Sequence, residues 1–320
     1  IDMKHIIVVG GGIAGMQCAV EAARGGAAVT LIEKEGDTGG KLRNWHKLFP
    51  TLTPADEVLS ALRHRLAREE NITVKTDCEV TAVTPRKVAT ASGEELACDA
   101  VVLATGFALF DARVKEEYGY GIYDNVITSA DLERMFNDGA VKLKSGGAPR
   151  RIAILHCVGS RDEKVCQRHC SKVCCVTGVK QAIELKKLFP SADVFNFYMD
   201  IRMFGPGYEE MYREAQEKYN IHFVRGRISE VSPTIDERLQ IKAEDTLTGR
   251  PLKIGVDMLV LLIGMKADAM NASLEEASGL RRQPSGFMQP RDSFLGNVES
   301  GAEGIFYAGA VTAPKSVGES

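Results

Sequence analysis

The chain begins with a β-branched run, His5–Val9, that leads directly into Gly10-Gly11-Gly12-Ile13-Ala14-Gly15. This spacing specifies a strand that turns sharply into a helix. Gly10 permits the tight turn, Gly12 leaves the backbone bare toward a pyrophosphate, and Gly15 lets the helix pack closely against the strand. Met16 to Arg24 reads as that helix, closed by Gly25-Gly26, and Ala28 to Glu33 reads as a second, buried strand. Glu33 ends that strand, placed to accept hydrogen bonds from ribose hydroxyls, while the helix N-terminus offers amide donors and partial positive charge to phosphates. A dinucleotide site is therefore expected at the front of the chain.

The 320-residue sequence has room for two domains of ordinary size. Hydrophobic residues make up 44 % and charged residues 26 %, which excludes a disordered chain. A formal charge of −3 leaves no basic field for nucleic acid or an anionic membrane. Met258–Ile263, the longest apolar run, is far short of the roughly 20 residues needed to span a bilayer. No charged-then-apolar leader is present, so a cytoplasmic location is expected. Met3 reads as a natural start, with Ile1 and Asp2 as additions, and Ser316–Ser320 reads as the opening of a helix in a longer natural chain.

Gly39-Gly40-Lys41-Leu42 and the aromatic, basic Trp45–Pro50 stretch read either as surface turns or as a second approach to a bound flat ring. Asp56 to Glu70 is an amphipathic helix with Val58, Leu59, Leu62 and Leu66 on one face. Short strands are expected at Ile72–Thr76, Glu79–Thr84, Lys87–Thr90 and Glu95–Ala97. Asp99 to Gly106, an acid followed by an apolar strand and small residues, is repeated at Asp257 to Gly264. Gly304–Ala310 is one more strand of this kind. The repeat suggests a discontinuous domain, 1–145 and 256–320, with 146–255 inserted. The inserted segment starts again like a nucleotide-binding unit: a strand at Arg151–His156, a helix within Ser171–Phe189, a strand at Ala192–Tyr198, a helix at Tyr208–Asn220, and strands near Ile221–Val224 and Leu239–Lys242. Its first turn, however, reads Cys157-Val158-Gly159-Ser160, without the glycines a pyrophosphate needs.

Five of the eight cysteines, Cys157, Cys166, Cys170, Cys174 and Cys175, crowd into this region. The other three, Cys18, Cys78 and Cys98, sit in or beside apolar stretches and read as small buried hydrophobes. A dense cluster in a reduced compartment points to an iron–sulfur centre, a redox dithiol or zinc rather than a disulfide framework. Zinc knuckles and a C-x-x-C pair are both absent, and a vicinal Cys174–Cys175 disulfide would be strained.

The order of these pieces resembles the two-dinucleotide-binding-domain, thioredoxin-reductase-like flavoproteins, on the strength of the glycine turn with Glu33, Ala104-Thr105-Gly106 and Tyr307-Ala308-Gly309-Ala310. The resemblance implies an α/β fold of two Rossmann-like domains, the first binding FAD. A more specific likeness is carried by Cys157-Val158-Gly159-Ser160-Arg161-Asp162-Glu163, Cys170-Ser171-Lys172-Val173-Cys174-Cys175 and Lys180-Gln181-Ala182. These segments are similar to the A subunit of heterodisulfide reductases, including short homologues of sulfur-metabolising bacteria. That likeness implies a [4Fe–4S] cluster on Cys157, Cys170, Cys174 and Cys175, and Lys180 near the flavin ring, where it would stabilise negative charge on the reduced flavin. Cys166 departs from the family pattern, and Ala310 stands where ordinary disulfide reductases carry an aspartate. The FAD contacts implied are Gly10, Gly12, Ala14, Gly15, Glu33, Lys34, Gly40, Lys41, Leu42, Val80, Ala104, Thr105, Gly106, Gly309, Ala310, Ser316 and Val317.

The expected role is an electron-transfer subunit of a heterodisulfide-reductase-like complex in sulfur metabolism, of the sulfur-oxidising type. It would pair as a homodimer and associate with the other subunits, without nucleic acid or a membrane span. The alternatives are an NAD(P)H-dependent disulfide reductase using Cys174 and Cys175, the equivalent subunit of a quinone-linked sulfate-reduction complex, or an assembly subunit. Read alone, Lys180 is equally a solvated helix lysine. His46, His156 and His169 lie near the suspected sites, as cluster neighbours or surface residues, and the Arg202–Tyr208 loop is either a partner surface or a turn.

Overall fold

The structure, a computed structural model, describes residues 3–320; Ile1 and Asp2, read above as additions, lie outside the described residues. The chain divides into two compact units. The first comprises the residues up to Arg43, Ala55–Ala108 and Lys266–Ser320; the second comprises Asn44–Pro54 and Leu109–Met265.

The first unit is built on a five-stranded parallel sheet in the order Ile305–Tyr307, Ala100–Leu103, His5–Val9, Ala28–Ile32, Ile72–Lys75. The Ile13–Arg24 helix turns Met16, Ala19, Val20 and Ala23 inward, the spacing of one buried stripe. Helix Ala55–Arg68 buries Leu59, Leu62 and Leu66, as its pattern predicts. An antiparallel meander, Val80–Thr84, Lys87–Thr90 and Glu95–Ala97, completes the unit. Its core gathers Ile7, Val9, Val83, Val88, Leu103 and Tyr307.

The second unit repeats this plan. Its parallel sheet runs Val126–Thr128, Met258–Ile263, Arg151–Val158, Asp193–Tyr198, His222–Arg225. Here too an antiparallel meander, Ile228–Pro233, Leu239–Asp245 and Arg250–Val256, lies in sequence between the third and fourth strands of the plan. Helices Ser129–Asn137, Cys174–Leu188 and Tyr208–Glu217 belong to this unit.

This arrangement corrects the reading of the Asp257–Gly264 repeat. Met258–Ile263 does not return to the first sheet; it lies inside the second, between Val126–Thr128 and Arg151–Val158. The boundaries expected at 146 and 255 fall inside the second unit, which runs from Leu109 to Met265 and takes in Asn44–Pro54 as well. The repeat marks equivalent strands of two similar units. Asp99 accepts the His5 amide at 2.9 Å at the mouth of one sheet, and Asp257 accepts the Arg151 amide at 2.8 Å at the mouth of the other. An apolar strand buried on both faces reads the same in either sheet, and the three-residue Val126–Thr128 edge strand is too short to show which sheet it joins.

Two positions test the packing of these sheets. A Cβ on Gly15 would lie 1.8 Å from the Gly10 carbonyl oxygen, a backbone atom that cannot swing aside. Gly15→Ala should therefore cost at least about 1–3 kcal/mol, the range for overpacking, measured by urea unfolding. Burial opposes ionisation of Asp257, but the Arg150 and Arg151 amides and the Arg238 guanidinium outweigh it and hold the carboxyl below its usual range. The resulting stabilisation is complete above the unfolded carboxylate value of about 3.9 and is lost as the pH falls through the lower native value. Asp257→Asn should accordingly destabilise the protein at pH 7, and the gap in urea midpoint should close in strong acid.

Candidate functional site

In the first unit Gly10, Glu33 and Ala104 directly follow the carboxyl ends of the His5–Val9, Ala28–Ile32 and Ala100–Leu103 strands. Gly10 adopts φ +108°, and a Cβ there would strike the Ala104 carbonyl. Gly12 precedes the helix with no side-chain cap, and a Cβ on it would meet nothing within 4 Å. The turn thus presents open backbone and uncapped helix amides, the surface a pyrophosphate needs. Gly40 lies close under Gly12, and Gly309, at φ +68°, comes close to Ala14. Leu42, Val80 and Ala310 are buried, Lys34 is exposed, and burial pulls the Lys41 ammonium down while it sits 4.8 Å over the Phe107 ring. Thr105 Oγ1 is buried without a hydrogen-bond partner, beside Gly106 at φ +72° with open space around it. Ser316 and Glu319 form a capping box that opens the Val317–Glu319 turn. Glu33 is engaged in a way the motif alone does not show: its two oxygens accept the Gly11 and Glu35 amides at 2.7 and 2.9 Å. The carboxylate therefore also clamps the glycine turn, and each oxygen keeps a second lone pair for a ribose hydroxyl. The open glycine turn and the orphaned Thr105 hydroxyl fit a dinucleotide such as FAD.

The equivalent turn of the second unit is filled with thiols. The Arg151–Val158 strand shifts register between Leu155 and Val158, and Cys157 takes φ +61°. A Cβ on Gly159 would lie 2.0 Å from the Phe110 ring, so that side of Gly159 is already packed by an aromatic side chain. The following loop carries Arg161, Cys166 and Lys172 at positive φ, each sterically costly for a residue with a Cβ. Buried hydrogen bonds hold it in place. Ser160 Oγ accepts from Ser171 and donates to the His169 carbonyl, and Ser171 Oγ accepts the Met265 amide. Asp162 pairs with Lys115 at 2.8 Å and Arg227 at 2.9 Å.

Cys174 and Cys175 are the first two residues of the Cys174–Leu188 helix, which has no side-chain cap, so they lie in the partial positive charge of its N-terminus. Cys157, Cys174 and Cys175 are all buried, with Cys157 and Cys174 Sγ 3.8 Å apart. Side-chain contact with Cys174 lowers both Cys157 and Cys175 below the ordinary thiol value, and the same contacts together with burial raise Cys174. Burial would lower the His156 imidazole, but Cys175 and Asn196 outweigh it and raise it. Cys170 is half-buried and its Sγ accepts the Lys172 amide at 3.3 Å, while the Arg161 guanidinium acts on both the Cys157 and Cys170 thiols. Cys166 is exposed at the end of the Glu163–Val165 turn. His169 is bonded to the Met265 carbonyl. Elsewhere, burial raises the Cys98 thiol to about 11 and the Cys18 thiol in the same direction, consistent with inert packing; Cys78 is half-buried.

Among the described residues no three His, Cys, Asp or Glu side chains converge tightly enough to hold a single metal ion. A [4Fe–4S] cluster attaches each thiolate to a different iron, so its ligands surround it without meeting at one point. Three buried cysteines, Cys174 and Cys175 at an uncapped helix start and Cys157 beside them at the end of its strand, with Cys170 in the adjoining loop, have the donor chemistry for such a group.

Lys180 is not a solvated lysine. Its Nζ lies 2.5 Å from Glu133 Oε1 and 2.9 Å from Glu184 Oε2, and all three side chains are almost fully buried. Gln181 donates to the same Glu133 oxygen at 2.6 Å, and the His46 amide donates to the other at 2.9 Å. The His46 ring bonds Glu184 at 2.8 Å and stacks on Phe136. Sequence reasoning missed Glu133 and Glu184. Glu184, one helical turn beyond Lys180, was the available signal; Glu133 had none. Removing one partner of such a group leaves an uncompensated buried charge. Lys180→Met should therefore lower stability by about 3–5 kcal/mol, read from guanidinium midpoints.

The comparisons with known proteins bear on this arrangement directly. The sequence profile described as pyridine nucleotide-disulphide oxidoreductase matches residues 4–319. The chain belongs to the pyridine nucleotide-disulphide oxidoreductase family. This member is similar to the iron-sulfur A subunit of the CoB–CoM heterodisulfide reductase of Methanocaldococcus jannaschii, 31 % identical over 98 % of the chain and 62 % of the relative. It is also similar to the A subunit of the H2/formate:CoB-CoM heterodisulfide,ferredoxin reductase of Methanococcus maripaludis, 41 % identical over 68 % of the chain and 34 % of that protein. The chain thus spans about three fifths of the first relative's length. The likeness in fold is equally clear: T. acidophilum thioredoxin reductase superposes with TM-score 0.66 at 18 % identity, covering 99 % of this chain and 94 % of that one. Lactococcus lactis thioredoxin reductase gives 0.67 at 17 % identity, covering 99 % and 93 %. The expected thioredoxin-reductase-like fold of two Rossmann-like units is the fold observed.

Proposed function

We propose that this oxidoreductase-family chain is a FAD- and [4Fe–4S]-containing electron-transfer subunit of a heterodisulfide-reductase-like complex in sulfur metabolism, of the sulfur-oxidising type. The observation that carries the reading is the contrast between two equivalent turns. The first leaves Gly12 open; the second is closed by Phe110 and lined by Cys157, Cys174 and Cys175. Homology to the A subunits of heterodisulfide reductases, one of them named an iron-sulfur subunit, supports it. No helix among the described residues is long and apolar enough to cross a membrane. We place the protein in the cytoplasm, as a homodimer joined to the other subunits of its complex.

In this reading Gly10, Gly12 and Gly15 shape the pyrophosphate seat, Glu33 holds the turn and the ribose, and Thr105 donates to the bound nucleotide. Cys157, Cys170, Cys174 and Cys175 would hold the cluster, with the helix N-terminus at Cys174 and Cys175 and the Arg161 guanidinium acting on Cys157 offsetting negative charge there. FAD bound there would supply both two-electron and one-electron chemistry, and a cluster on the cysteines one-electron chemistry. Lys180 keeps the flavin role that the resemblance implies only as part of this proposal, its positive charge being offset by Glu133 and Glu184.

Anaerobically purified protein should carry FAD and about four irons and four sulfides per chain. Cys157→Ala or Cys174→Ala should lose the iron, whereas Cys166→Ala should keep all of it. Zinc in place of iron, or metal-free protein whose flavin is bleached by NADPH through Cys174 and Cys175, would overturn the assignment.

A further inference from the structure

Above the buried thiols the second unit carries an unbalanced cationic face. Asp200 lies just beyond the Asp193–Tyr198 strand, and three guanidinium groups share its single carboxylate: Arg161 at 2.7 Å, Arg225 at 3.8 Å and Arg202 at 4.0 Å. One charge cannot neutralise three, so this face is positive in a chain whose net charge is −3. Arg161 Nη1 is buried with no partner, while Arg202 and Arg225 are each more than 40 % exposed. Two residues beyond Arg202, the Phe204 ring is 62 % exposed, with the Lys172 ammonium 5.7 Å from its centre. The loop is not loose: Gly205 packs on the Tyr208 ring and Gly207 takes φ +78° to start the next helix. It lies directly over the thiols, since Cys175 Sγ is 3.4 Å from the Asp200 carbonyl oxygen.

We propose that this face, Arg161, Arg202, Arg225 and Phe204, docks a carboxylate-rich electron-carrier protein; the proposal rests on the electron-transfer reading above and adds where the electrons leave. Exposed arginines around an accessible aromatic ring are what a protein partner uses as anchors, and an acidic partner would satisfy the two guanidinium charges that Asp200 leaves over. A dinucleotide is the other anion this position could take, because Asp200 stands close to where such domains read the ribose. The phosphate end of that position is built differently from the first unit's: the Phe110 ring packs against Gly159, and cysteines occupy the helix start.

The test uses the purified holoprotein and an acidic bacterial ferredoxin as probe, with binding measured calorimetrically at low and high salt. Wild type should bind at low salt and weaken steeply as salt rises. The double variant Arg202→Glu/Arg225→Glu should bind at least about tenfold more weakly and lose most of the salt dependence, with Arg202→Lys/Arg225→Lys retaining most of the binding. An unchanged unfolding midpoint would show that the reversal variant is folded; should it not fold, Phe204→Ser provides the same comparison. No ferredoxin binding by wild type, or binding that neither variant weakens, would overturn the proposal. So would tight NADPH binding that the reversal variant loses. Iron and flavin analysis of the same samples separates the two readings, because a missing cluster defeats the proposed function, whereas an intact cluster without docking defeats only this surface.

Discussion

Both units depend on one close approach, that of a helix start to the end of the first strand of its sheet. In a parallel sheet the strand's carboxyl end and the helix amides meet at this turn, and whatever fills the gap faces a concentration of unpaired donors. In the first unit Gly10, Gly12 and Gly15 put no side chain there. In the second, side chains fill it: Phe110 covers Gly159, and Cys157, Cys174 and Cys175 occupy the space at the helix end. One architecture therefore presents two chemistries, and the residues of a single turn in each unit decide which.

The Cys174–Leu188 helix ties the second chemistry to a buried charge. Its first two residues are thiols, and about two turns later it places Lys180 between Glu133 and Glu184. Two carboxylates around one ammonium, in a nearly dry setting, cost desolvation energy that hydrogen bonds from Gln181 and His46 help to offset. Such a cluster resists rearrangement, and it also limits how much free positive charge Lys180 can offer to anything beyond its own partners.

Much of the first unit was legible because its signals are local. The glycine spacing, the periodicity of Ile13–Arg24 and Ala55–Arg68, and the short meander strands each occupy one stretch of chain. The second unit was less legible. Val126–Thr128 is too short to show a pattern, and the helix that follows it supplies Glu133 from more than forty positions before Lys180. Assigning Met258–Ile263 to the first sheet followed from a real repeat, but the repeat reflected the likeness of the two units rather than membership in one of them.

The sequence alone determined the dinucleotide-type turn, the α/β plan, the family and the crowding of thiols, because each is written in residues close together along the chain. The tertiary structure decided which three thiols are buried side by side, that Cys166 stands apart on the surface, that Glu33 clamps its own turn, and that Lys180 is sealed between two carboxylates. Those outcomes depend on distances between residues far apart in the chain, and only the pairing of strands and the packing of helices sets such distances.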